Sequence, residues 1–254
     1  MNNKRKIADP LLLLLLCLVM ITPFLRNNTL YTGVDMGYHL NRAYEEYMTL
    51  KSGHIFNLIN TFSLNHVGMP TNMVYGFIYL YPLAFWMLIV HNKITAVYLG
   101  IALILFITAI IAYWVGNKFW KYDRNKSLAF AILFTFSTYT FDIFWGSFSL
   151  AQASAEAFLP LVAYGTYSIF WRKSREWMLL SLGMTLTIYC HLVSTFVYSS
   201  LIMIIIIIAM TTQSIHKESV FAFLKAVVLT IATTAFYWGN LLTIYLKNPA
   251  INTP

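Results

Sequence analysis

The chain has 254 residues, of which 59% are hydrophobic and only 10% charged, with a mean hydropathy of +0.66. That balance excludes an ordinary water-soluble domain, whose surface needs far more polar residues, and places the chain among integral membrane proteins with the lipid bilayer as partner. The formal charge of +8 is concentrated in short clusters between apolar runs, as in cytoplasmic loops, so no nucleic-acid partner is expected.

The first apolar run, 7–25, follows Lys4-Arg5-Lys6 and ends in TPFLRNN, without the small residues of a cleavage site. It reads as a retained signal anchor with its N-terminus in the cytoplasm. Segment 26–93 is then a long first extracytoplasmic loop. Its most polar part is GVDMGYHLNRAYEEYMTLKSG, Gly33 to Gly53, in which Asp35, His39, Arg42 and Glu46 recur at helical spacing and share one stripe. Leu40, Tyr44, Tyr47 and Met48 take the opposite face. Asp35 stands where it can cap the helix, and Gly53 where it can end it.

The next run, 73–90, contains Pro82 and many aromatic residues. A crossing there would put the basic cluster Lys118 to Lys126 outside, against the charge rule, so it reads as an interfacial helix. The spans that follow are 94–117, 127–142 and 158–171, the last leading to the basic Trp171–Glu176 segment. The run 177–212 would be ~54 Å long as one helix, so it divides near YCHLVS into 177–190 and 193–212. A last span, 219–243, follows His216-Lys217. The expectation is one all-α integral membrane domain, 1–254, with about seven transmembrane helices and amphipathic juxtamembrane helices in the outer loop.

On this topology the acidic and histidine residues gather at the outer face: Asp35, His39, Glu45, Glu46, His54, His66, Asp142, Glu156 and His191. Two readings of the Asp35 stripe stand side by side. In one, the helix rests on the membrane with its polar side in water. In the other, a carboxylate and an imidazole abstract a proton from a hydroxyl while Arg42 holds a phosphate. The carboxylates could also hold a divalent metal. Glu156 is either a second acid or a carboxylate favoured by a helix N-terminus. His191 either binds substrate or satisfies backbone at a hairpin.

The order of these features resembles the bacterial multi-pass membrane proteins of the pyruvoyl-tetrahydropterin-synthase-related family, which are similar to GT-C-fold glycosyltransferases. The matching elements are Asp35, His39, Arg42, Gly53, Gly68 with Pro70, Tyr81 with Pro82, a later acid at Glu156, and Cys190-His191-Leu192. The resemblance implies a GT-C-like fold that transfers a sugar from a polyprenyl-phosphate donor at the extracytoplasmic face. It implies Asp35, His39 and Glu156 as catalytic residues, and Arg42, Glu46, Tyr81 and His191 as substrate-binding residues. Members of that family continue beyond seven spans. The chain is therefore expected to be the N-terminal half of such an enzyme or to work with a partner subunit. The alternative is a non-catalytic membrane protein of the same fold that assists assembly or export of a cell-surface polymer.

Overall fold

The computed structural model describes residues 3–31, 33–62, 66–172 and 176–247, with side chains from Ile7 onward. Lys173 to Arg175 of the third basic cluster, Asn65 and the segment from Asn248 lie outside the described residues. In chain order the helices are α1 (Asn3–Asn27), α2 (Met36–Lys51), α3 (Thr71–Val74), α4 (Tyr81–Ile89), α5 (Lys93–Phe119), α6 (Arg124–Thr135), α7 (Thr138–Phe141), α8 (Leu150–Glu156), α9 (Leu159–Trp171), α10 (Trp177–Cys190), α11 (Leu192–Thr211), α12 (Lys217–Thr233) and α13 (Ala235–Lys247). A 3₁₀ turn, Ile78–Leu80, precedes α4, and a π-helical turn, Asp142–Ser147, follows α7. Among the described residues the only β-type pairing is a bridge between Asn60 and Met69.

Among the described residues, four stretches are long and apolar enough to cross a membrane: Ile7–Asn27, Lys93–Phe119, Arg124–Ser147 and Leu192–Thr211. The pair α12 and α13 adds a fifth if it is one bent span, for it turns by 60° at Thr234. The expected spans 158–171 and 177–190 appear as α9 and α10, of 13 and 14 residues. Each is about 20 Å long, short of the ~30 Å hydrocarbon core. The long run does divide at His191, between α10 and α11.

The helices gather into two compact units, Met1–Asn57 with Ile78–Pro160, and Leu58–Phe77 with Leu161–Pro254. In the first, α1 and α5 pack antiparallel. At one end the Tyr98 hydroxyl donates to the Thr29 carbonyl and accepts from the Tyr31 amide. At the other, Asp9 accepts from the Tyr113 hydroxyl at 2.6 Å and from Arg124 Nη2, also at 2.6 Å. The start of α1 therefore shares one end of the unit with the basic α5–α6 hairpin. Leu13, Cys17 and Ile21 form the buried stripe of α1, while Leu11, Leu15 and Val19 are exposed on its other face. Water would penalise such a leucine-rich exposed face, whereas lipid would not. Small residues of α5 and α6 (Ala109, Ala112 and Ala131) let these helices approach closely.

In the second unit, α11 and α12 both pack on α10. Three contacts tie α10 to α12: Thr230 Oγ1 donates to Ser181 Oγ, Thr185 pairs with Thr233 through their hydroxyls, and the Tyr189 hydroxyl donates to the Thr233 carbonyl. Helix α13 packs on α3, where the Tyr237 hydroxyl donates to the Val74 carbonyl.

Candidate functional site

Helix α2 begins beside the strained segment that follows the π-helical turn. Phe148, fully buried, adopts a left-handed backbone with φ of 58°, a conformation that bulky residues adopt only under external constraint. The chain passes so close to Gly33 that a Cβ there would lie 2.5 Å from that of Phe148. This approach lets the Asp35 amide donate to the Ser147 carbonyl at 2.9 Å. It also carries Ser149 to the Asp35 carboxylate, to which its hydroxyl donates at 2.6 Å. Asp35 stands at the N-cap position, yet its side chain makes no cap hydrogen bond, and its carboxylate accepts from Ser149.

The far end of α2 closes as the sequence requires. Gly53 has φ of 84°, its amide donates to the Leu50 carbonyl, and the His54 amide donates to the Thr49 carbonyl. This paired return satisfies carbonyls that the helix end would leave free.

The orientation of α2 corrects the reading in which the polar stripe faces water. His39 and Arg42 are each 2% exposed and Glu45 and Glu46 each 1%, while Tyr44 on the opposite face is 45% exposed. The polar face is turned inward onto the 3₁₀ turn and α4. Tyr79, buried in that turn, is where the stripe converges. Its hydroxyl accepts from Arg42 Nη1 at 2.7 Å and lies 2.8 Å from His39 Nδ1. The guanidinium carbon lies 5.4 Å from the Tyr38 centroid and 5.5 Å from that of Tyr79, within the range of cation–π attraction.

Glu46 stands apart from this network. Neither carboxyl oxygen has a hydrogen-bond partner among the described residues. Tyr81 lies beside it, but the single proton of the Tyr81 hydroxyl is donated to the Ile55 carbonyl at 2.7 Å. Burial pushes the Glu46 carboxyl up to about 7, against the opposing effects of Tyr81 and the Arg42 charge.

Glu156 is the last residue of α8 and stands three residues before Leu159, the first residue of α9. Pro160 lacks the N–H that would continue the ladder from Glu156, and α9 starts afresh at Leu159. Glu156 is buried and its Oε2 has no partner among the described residues. Burial raises its carboxyl to about 7, with the Thr140 hydroxyl acting in the opposite direction. Helix α8 packs against the turn that carries Tyr79, so Asp35, Tyr79 and Glu156 belong to connected elements of one unit.

His191 belongs to the second unit. Its Nδ1 accepts from the Ser194 amide and lies 2.8 Å from the Ser194 hydroxyl, which makes it the N-cap of α11. Asp142 opens the π-helical turn and is exposed. Among the described residues, no group of three or more His, Cys, Asp or Glu is arranged to hold a metal ion. Tyr79 and Ser149 belong to no sequence pattern that marks a site. The repeated Tyr of YLY before Pro82 was the available signal for Tyr79, and Ser149 carried none. No protein-family model, curated protein or solved structure matches the chain.

Proposed function

We propose that the chain is a membrane glycosyltransferase of GT-C type, or the N-terminal half of one, that transfers a sugar from a polyprenyl-phosphate donor at the extracytoplasmic face. The observation that carries this reading is the inward-turned polar face of α2. Burying an imidazole, a guanidinium and two carboxyls costs several kcal/mol unless they are paired. A helix that only rested on a membrane would leave them in water. Here the imidazole and the guanidinium are fixed on the Tyr79 hydroxyl, and the Glu46 carboxyl is left without a hydrogen bond among the described residues.

Asp35, half-buried and oriented by Ser149, is the base in this reading. It takes the proton of the acceptor hydroxyl as that oxygen bonds to the anomeric carbon and the bond from that carbon to the phosphate oxygen breaks. Arg42 supplies fixed donors for the departing phosphate. His39 and Glu156 are further proton carriers, and Glu46 and Tyr81 receive sugar hydroxyls. The shared end of the α1 start and the basic α5–α6 hairpin supports a cytoplasmic N-terminus, and in this reading α2 lies at the outer face.

The test is sugar transfer by membranes carrying the chain, with a radiolabelled polyprenyl-phosphate sugar as donor. Wild-type activity together with a loss of ~100-fold or more in Asp35→Asn is expected for a general base. Undiminished transfer in Asp35→Asn removes that assignment, and no transfer by the wild type leaves the non-catalytic alternative.

A further inference from the structure

We infer that Lys51, Lys93 and Tyr47 form a binding site for the phosphate of an anionic phospholipid headgroup. Lys93 is the first residue of α5, and its ammonium lies 4.1 Å from the centroid of the Tyr47 ring. Lys51, the last residue of α2, places its ammonium 5.8 Å from the same ring. Two positive charges therefore flank one phenol. Among the described residues neither lysine makes an ion pair. The acids on the same turns of α2, Glu45 and Glu46, are buried on the opposite side and offer no counter-charge at this surface. Burial opposes ionisation of the Tyr47 phenol, yet the two ammonium groups outweigh it and lower its pKa.

The helix end itself is not the donor. Asn92 caps α5 by accepting from the Ile94 and Thr95 amides. The remaining donors are the ammonium hydrogens of the two lysines and the Tyr47 hydroxyl, enough to meet the oxygens of one phosphate. Lys93 is also steadied by donating to the Met87 carbonyl at 2.6 Å.

Position distinguishes a lipid from free phosphate. Lys93 opens a 27-residue apolar helix, so its ammonium lies at headgroup depth when α5 crosses the bilayer. Immediately before it, α4 exposes Phe85, Leu88 and Ile89, an apolar surface on which acyl chains can lie. An inorganic anion would gain nothing from that surface. This inference depends on α5 spanning the membrane and is independent of the sugar-transfer reading.

The full chain in neutral detergent micelles, titrated with phosphatidylglycerol or phosphatidylcholine and followed by native mass spectrometry, tests it. The wild type is expected to prefer phosphatidylglycerol. That preference should fall about fivefold with either lysine changed to Ala and about 25-fold in Lys51→Ala/Lys93→Ala. Lys51→Arg/Lys93→Arg, which keeps the charges, should retain it. Millimolar glycerol phosphate or inorganic phosphate should not displace the lipid. Equal binding of the two lipids by the wild type overturns the inference, as does an unchanged preference in the double Ala variant. Displacement by inorganic phosphate as effective as by lipid overturns the lipid assignment. If the double Ala variant fails to fold, the wild-type discrimination and the double Arg variant still decide.

Discussion

The Ser149 hydroxyl donates to the Asp35 carboxylate at 2.6 Å across 114 residues of sequence. One bond thus couples the start of α2 to the segment that follows the π-helical turn. Turns of that type inside helices recur at functional sites. Ser149→Ala leaves the backbone bond from Asp35 to Ser147 in place and frees the carboxylate to rotate. It should reduce sugar transfer about tenfold, less than Asp35→Asn, with little change in thermal stability. A kinetic comparison of the two variants in membranes decides. Equal losses would mean that Ser149 does more than orient the carboxylate.

Tyr79→Phe removes the acceptor shared by Arg42 and His39 while keeping the ring against both. Two buried polar groups then lose a partner, and the chain should lose about 1–3 kcal/mol of stability. Tyr81→Phe removes one donor to the more exposed Ile55 carbonyl and should cost less. Thermal unfolding of the two variants in detergent provides the comparison. A larger loss from Tyr81→Phe would contradict the assignment of Tyr79 as the centre of the network.

Glu46 gives a pH dependence of known sign. Its folded pKa of about 7 lies above the ordinary carboxylate value of 4.5, so the folded state holds more protons between the two. Stability contributed by this group is present in full below pH 4.5 and falls as pH rises through about 7. Glu156 acts in the same direction and over the same window. Glu46→Gln, which cannot ionise, should flatten part of the decline in melting temperature between pH 5 and pH 8. An unaltered slope in Glu46→Gln would locate the titration elsewhere.

Asp9 is buried where α1, Tyr113 and Arg124 meet, and its carboxylate accepts from Nη2 and from the Nε–H of Arg124, which is shared between both oxygens. Asp9→Asn keeps the shape and removes the charge. The expected loss is about 1.5–3 kcal/mol, the worth of hydrogen bonds to a charged group. Urea or thermal unfolding measures it, and a loss below about 0.5 kcal/mol would show that the pair contributes only orientation.

The α5–α6 hairpin fixes the topology experimentally. Cys17 and Cys190 are buried, so a single cysteine introduced as Lys121→Cys reports with little background. An impermeant thiol reagent should label it only after the membrane is opened. Labelling of intact cells would invert the orientation proposed for α1, α2 and α5.

The sequence alone determined those features that depend on local chemistry. Apolar runs gave α1, α5 and α11, because a helix in lipid must satisfy its own backbone and show hydrocarbon outward. Gly53 ended α2 because only glycine enters a left-handed turn without penalty. The break at His191 was legible because a single helix would have exceeded the bilayer thickness. Tertiary structure alone decided the direction in which α2 faces. Helical spacing places Asp35, His39, Arg42 and Glu46 on one side, but it is the same whether that side meets water or protein. The aromatic turn around Tyr79, 40 residues beyond His39, resolves it by supplying the hydroxyl that His39 and Arg42 share. Ser149 and the end-of-helix position of Glu156 were likewise invisible, since both depend on where the chain returns after a π-helical turn and a proline.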